Sequence, residues 1–102
     1  MTTMTAAVLY EPRDLRIAQV PRPEAGDDGV LIAVRAVGVC GTDLNTYKLG
    51  MFREMSVPVG DGALFGHEFA GELVAIGPNA KVEGVAVGDR VAGIGIGAYA
   101  EY

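Results

Sequence analysis

Short apolar stretches alternate along this chain with polar breaks rich in glycine and proline, a rhythm that predicts strands rather than helices. Ala6-Ala7-Val8-Leu9-Tyr10 is a compact apolar run, closed by Glu11-Pro12-Arg13-Asp14, a composition that favours a turn. Residues 15–20 then alternate apolar and polar positions with period two, as a half-buried strand does. Together the two runs predict a hairpin across a four-residue turn. Pro21 and Pro23, followed by Gly26-Asp27-Asp28-Gly29, cannot continue a ladder. The longest strand expected runs over residues 30–39, nearly all apolar except Arg35.

The pattern changes over residues 40–66. Thr42 and Asp43 are helix-capping residue types, residues 44–48 allow a turn or two of helix, and Gly50 is placed to stop it. Residues 51–64 show neither period and carry Pro58, Gly60 and Gly62, which predicts an extended loop of the kind that carries function or moves. Met51, Phe52 and Met55 are its candidates for lining an apolar channel, with plain core packing as the alternative. A further strand is expected over residues 69–76, ended by Gly77-Pro78-Asn79. Val87-Gly88-Asp89-Arg90-Val91 has the composition of a tight turn entering a strand, and Tyr99-Ala100-Glu101-Tyr102 starts one more. Many short strands with glycine turns point to a mainly β protein with short helices, a small barrel or sandwich.

Composition narrows the function classes. A chain of 102 residues and 10.6 kDa accommodates one small domain. With 50% hydrophobic and 21% charged residues it is expected to pack a core. Eight basic residues against thirteen acidic ones give a net charge of −5, and the basic ones are scattered singly. That arrangement builds neither a phosphate-tracking patch nor a polybasic membrane tail, so neither nucleic acid nor membrane is an expected partner. The single cysteine, Cys40, cannot form an internal disulfide, which fits a reducing compartment. Without a signal-like N-terminus or an apolar run near the ~18 residues of a membrane span, the expected location is cytoplasmic. One histidine, His67, also rules out a closed Cys₄ or Cys₂His₂ zinc site.

Three residues remain that carry chemistry: Cys40, His67 and Glu68. Zinc takes thiolate, imidazole and carboxylate ligands, and its catalytic sites keep one position open for substrate. Cys40 ends one expected strand and His67 starts another, both beside glycines. The bland alternative is a small buried cysteine and a surface or core histidine.

The segments Cys40-Gly41-Thr42-Asp43-Leu44, Gly66-His67-Glu68-Phe69-Ala70-Gly71 with Gly77 and Ala80, and Val87-Gly88-Asp89-Arg90-Val91 resemble, in that order, the zinc-dependent medium-chain alcohol dehydrogenase family. The opening run with Val20-Pro21 is similar as well. The resemblance implies a GroES-like, partly open β-barrel, with residues 1–102 as the N-terminal part of the catalytic domain and the Rossmann NAD(P)-binding domain absent from this chain. By the same resemblance, Cys40 and His67 are zinc ligands, and Thr42 is the hydroxyl that bonds the substrate alcohol and passes its proton outward. Glu68 is either a zinc ligand or a carboxylate just behind the ligands, and Asp43 orients the histidine. Because strand neighbours point to opposite faces, Glu68 is expected to act indirectly unless the backbone is locally distorted. Gly41, Thr42 and Asn45 are implied on the side that meets the nicotinamide cofactor.

Two departures from the family pattern matter. Asn45 stands where several members place a relay histidine, and asparagine cannot titrate near neutrality. The four-cysteine lobe of many members has no counterpart here, so one catalytic zinc and no structural zinc is the expectation. Gly93-Ile94-Gly95-Ile96-Gly97-Ala98 fits a dinucleotide fingerprint formally, yet only four residues follow it and no helix can open there. The reaction implied is zinc-dependent oxidation of a small alcohol or polyol to a carbonyl, with hydride passing to NAD or NADP in a full-length protein expected to be a homo-oligomer. The fragment alone is expected to be inactive. Two other readings are a non-catalytic GroES-like co-chaperone or scaffold module and the zinc-free quinone-reductase branch, whose members generally lack these Cys40 and His67 segments.

Overall fold

The computed structural model of the protein describes residues 2–51 and 55–102. Its first hairpin pairs β1 (Thr3–Glu11) with β2 (Asp14–Pro21), antiparallel. Glu11 pairs with Asp14, so only Pro12 and Arg13 form the turn, and Arg13 takes a left-handed φ of 66°. Proline supplies the fixed first φ of such a turn, and the left-handed residue reverses the chain behind it. β1 continues through β5 (Gly62–Leu64) to β4 (Val57–Val59), giving a sheet of order β2-β1-β5-β4. The hairpin of β4 and β5 occupies the second half of the segment expected to be an extended loop. Its strands are only three residues long, too short for periodicity to register. Phe52, one of the channel candidates, lies outside the described residues.

The alternation in β1 turns Met4, Ala6 and Val8 inward, where they pack with Val20 and Leu64 as one buried cluster. Val20 is the one fully buried residue of β2, with Ala18 partly buried on the same face. The half-buried strand read from residues 15–20 is instead an edge strand, with Leu15 and Ile17 43% and 75% exposed. Those two side chains lie on the face opposite Val20, because a strand's side chains alternate.

The second sheet has the order β3-β6-β7, all antiparallel, with β3 (Val30–Val37), β6 (Glu68–Ile76) and β7 (Arg90–Ile94). β3 stops at Val37 rather than Val39, so Gly38 and Val39 form a short run into the helix α1 (Gly41–Leu49). Central strand β6 carries the buried Leu73, and β3 contributes Leu31 and Ala33. Gly71 permits the β3–β6 approach, since a Cβ there would meet the Ala33 carbonyl group, with its carbon at 2.9 Å. The two sheets are joined by residues 98–101 rather than closed. Ala7 N–H donates to Tyr99 O at 2.9 Å, Glu101 N–H to Thr5 O at 3.1 Å, and Val34 N–H to Glu101 O at 2.8 Å. The strand expected from Tyr99 onward is thus a stitch between sheets, with a single bridge between Ala6 and Ala100. The architecture is the mainly β, partly open one expected, with one short helix among the described residues. Also among the described residues, no helix is long and apolar enough to cross a membrane.

The stitch has a pH dependence. Glu101 accepts a 2.7 Å hydrogen bond from the Thr5 backbone N–H, and hydrogen bonding from Thr5 holds its carboxyl below the usual glutamate value. A carboxyl whose folded pKa is depressed stabilises the fold above its unfolded pKa, and that contribution is lost as pH falls through the folded value. The Thr5 amide resonance is therefore expected to titrate below the ordinary glutamate range while the sheets stay folded. A Thr5 amide that does not respond to acid would remove this tie.

Candidate metal centre

The site forms where β3 runs into α1 and where the chain enters β6. Cys40 is the N-cap of α1, in extended conformation with φ −118° and ψ 177°. Thr42 and Asp43, expected as caps, sit inside the first turn instead. Asp43 reaches back so that its Oδ2 accepts from Cys40 N–H at 3.0 Å, satisfying a backbone donor that a helix start leaves open. Gly50, with φ 72°, closes the helix and donates its N–H to Thr46 O at 3.0 Å. This capping fixes Cys40 and Asp43 in one rigid unit.

His67 lies ahead of β6, not within it. Gly66 before it has a φ of 87°, a left-handed conformation suited to glycine. The glycine-rich segment after β7 fastens this entry: Gly95 N–H donates to His67 O and Gly97 N–H to Gly66 O, each at 2.9 Å. The apparent dinucleotide fingerprint is therefore a backbone clamp behind the histidine.

The side chains converge on the imidazole from two sides. Cys40 Sγ is 3.4 Å from His67 Nε2, and Glu68 Oε2 is 3.5 Å from the same nitrogen. Asp43 Oδ1 is 3.5 Å from Nδ1 on the opposite side of the ring. Thr42 Oγ1 lies 2.7 Å from Cys40 Sγ. Strand alternation does not keep Glu68 away, because His67 precedes the strand. Gly38 also offers no side chain in the path of Glu68, where a Cβ would collide with Glu68 Oε1.

The donor set fits a zinc ion. Cys40 Sγ at 3.4 Å and Glu68 Oε2 at 3.5 Å each stand near enough to Nε2 for ligand bonds of about 2.0–2.3 Å to bridge each pair. Cys40, Asp43 and His67 also place ligand atoms within 4.8 Å of one another, which raises Asp43 as a rival ligand. Its geometry argues otherwise. Asp43 is buried, its Oδ2 accepts from Cys40 N–H and from the Tyr99 hydroxyl at 2.9 Å, and its Oδ1 faces Nδ1. The two ring nitrogens point away from each other, so an ion at Nε2 is out of reach of a carboxylate at Nδ1. Asp43 is placed to hold the ring, while Cys40 and Glu68 share its open nitrogen.

The remaining expected site residues lie around this centre. Gly41, Thr42 and Asn45 are exposed on α1, and Thr42 also borders the site beside the Cys40 sulfur. Met55 lines a small recess with Thr46, Phe65 and His67, whereas Met51 is largely exposed and does not line it. Sequence reading missed Tyr99, whose hydroxyl lies 3.0 Å from Gly38 O as well as 2.9 Å from Asp43. Tyr99 stands 56 residues from Asp43, and no local spacing connects them. Burial first, then the Asp43 carboxylate, pushes this phenol well above the ordinary tyrosine range, so it remains a hydrogen-bond donor.

Residues 26–102 match the alcohol dehydrogenase GroES-like domain, and the chain belongs to that family. It is 40% identical over 87 residues to an L-threonine 3-dehydrogenase of Aeromonas hydrophila, covering 85% of this chain and 24% of that protein. It is 44% identical over 89 residues to a sorbitol dehydrogenase of Bacillus subtilis, covering 87% and 24%. The chain thus spans about a quarter of the length of these curated relatives. Among solved structures, the quinone oxidoreductase of Coxiella burnetii superposes with a TM-score of 0.76 at 26% identity, covering 98% of this chain and 33% of that one. A protein of Sinorhizobium meliloti 1021, described as a zinc-binding dehydrogenase bound to NADP, gives 0.67 at 36% identity, covering 88% and 24%.

Proposed function

We propose that residues 1–102 are the N-terminal part of the catalytic domain of a zinc-dependent NAD(P) alcohol or polyol dehydrogenase. The observation that carries this reading is the approach of Cys40 Sγ and Glu68 Oε2 to one imidazole nitrogen while Asp43 takes the other. Cys40 and His67 hold the single catalytic zinc, Glu68 stands at the same nitrogen as a direct or neighbouring carboxylate, and no structural zinc is present. Bound zinc supplies Lewis-acid polarisation of the substrate oxygen. Asp43 keeps the proton on Nδ1, which leaves Nε2 free to donate its lone pair.

Thr42 faces solvent beside the Cys40 sulfur and bonds the substrate hydroxyl, handing its proton outward. Asn45 follows one helical turn later and cannot titrate, so the proton leaves through Thr42, a cofactor hydroxyl and water. Gly41, Thr42 and Asn45 form the side that meets NAD or NADP, held by a Rossmann domain beyond this chain. The substrate is a small alcohol or carbonyl, and the full-length protein is a cytoplasmic homo-oligomer.

Because quinone oxidoreductases share the fold, the side chains rather than the architecture favour the zinc reading. The test uses the full-length protein. About one zinc per subunit, together with NAD(P)-linked turnover of alcohols or polyols that a chelator abolishes and zinc restores, supports it. A metal-free protein, or turnover indifferent to chelation, overturns it.

A further inference from the structure

We propose that Tyr99 is a positioning residue for the metal-binding imidazole, acting through Asp43 to fix which ring nitrogen of His67 faces Cys40. The inference rests on the zinc reading given above. Tyr99 is unusually well anchored for a residue outside any strand. Its backbone O accepts from Ala7 N–H at 2.9 Å, and its N–H donates to Phe65 O at 3.1 Å. Its ring meets Phe65 edge to face, with centroids 4.9 Å apart and planes at 83°. The opposite contact is Gly66, where a Cβ would come within 2.7 Å of the ring. Glycine at that position thus serves both the left-handed turn before His67 and the seat of the Tyr99 ring.

From this seat the hydroxyl has two acceptors in reach, Asp43 Oδ2 at 2.9 Å and Gly38 O at 3.0 Å. The carboxylate holds the charge and so attracts the single phenolic proton more strongly. With Cys40 N–H on the same oxygen, Oδ2 has two donors, and Oδ1 is turned toward His67 Nδ1. A carboxylate anchored this way cannot rotate to become a ligand itself. It therefore keeps the imidazole proton on Nδ1, and the Nε2 lone pair faces Cys40 and Glu68. The phenol is protected from ionisation by burial and by the carboxylate beside it, so it keeps this role across the working pH range.

The test replaces the hydroxyl and keeps the ring. In Tyr99→Phe, zinc affinity measured against a chromophoric chelator is expected to fall about tenfold, the lower end for groups behind a ligand. The His67 tautomer, read from ring ¹⁵N–¹H correlations in the metal-free protein, is expected to lose its preference for Nδ1–H. The same substitution in an Asp43→Asn background is expected to change zinc affinity by less than twofold, because the path to the ring is already cut. Zinc affinity within twofold of the parent together with an unchanged tautomer overturns the proposal, as does a tenfold loss that persists in the Asp43→Asn background. A parent protein that binds no zinc, yet whose His67 tautomer responds to Tyr99→Phe, overturns the zinc reading while upholding the positioning role. The tautomer readout needs neither the metal nor the second substitution.

Discussion

Cys40→Ser is expected to weaken zinc binding by roughly 100- to 1,000-fold. Binding free energies at closed four-ligand zinc sites run about 10–16 kcal/mol, or about 3 kcal/mol per ligand when divided evenly. Serine at the same N-cap keeps the backbone geometry but stays a neutral hydroxyl near pH 7, so the soft anionic donor is lost. Cys40 Sγ lies 3.4 Å from His67 Nε2, which makes it the nearest partner of that nitrogen among the contacts described above. Competition with a chromophoric chelator measures the change. An unchanged affinity would take the thiol out of the site. Serine suits a helix N-cap, so the fold is expected to melt within a few degrees of the parent, and the loss reads as chemistry rather than unfolding.

Gly71→Ala is expected to act on the scaffold instead. The added Cβ meets the Ala33 backbone, whose carbonyl carbon would be 2.9 Å away, and Ile32 Cγ2 at 3.0 Å. A carbonyl in a paired ladder cannot step aside as a side chain can, so the cost lies near the upper end of overpacking, about 3 kcal/mol. For a domain of this size that corresponds to a fall in melting temperature of about 12–24 °C. Gly93→Ala provides the contrast, since its nearest neighbour is the Phe69 ring, at 3.1 Å. There the expected change is under about 1 kcal/mol. Thermal unfolding of the two variants side by side measures the difference, and equal melting temperatures would show that β3 and β6 yield at Gly71. The effect reaches the site because β6 begins at Glu68.

The sequence made the long elements legible because their burial is one-sided and their ends carry proline or glycine. β1 and β6 begin or end within a few residues of where the apolar runs place them. Legibility failed where periodicity reports a face without saying whether anything covers it. Leu15 and Ile17 alternate as well as any core strand, yet their strand lies at a sheet edge. The β4–β5 hairpin was hidden for a different reason, being three residues per strand around a tight turn. At the site, Cys40, Thr42, Asp43, His67 and Glu68 were all readable, because contiguous motifs hold them. Their geometry was not. The approach of Glu68 to Nε2 depends on His67 standing outside the strand and on the missing side chain at Gly38. Tyr99 was readable only as the start of an expected strand, since the contact that matters joins the segment between the two sheets to α1 across 56 residues.

The reach-back of Asp43 to Cys40 N–H ties the winding of the helix to the occupancy of the neighbouring site. One carboxylate both closes the first turn of α1 and braces the ring of His67, so whatever orders the ring also orders the turn. Coupling of this kind is reciprocal. Loading the centre with zinc should slow amide hydrogen exchange in that first turn, and fraying of the same turn should speed escape of the ion.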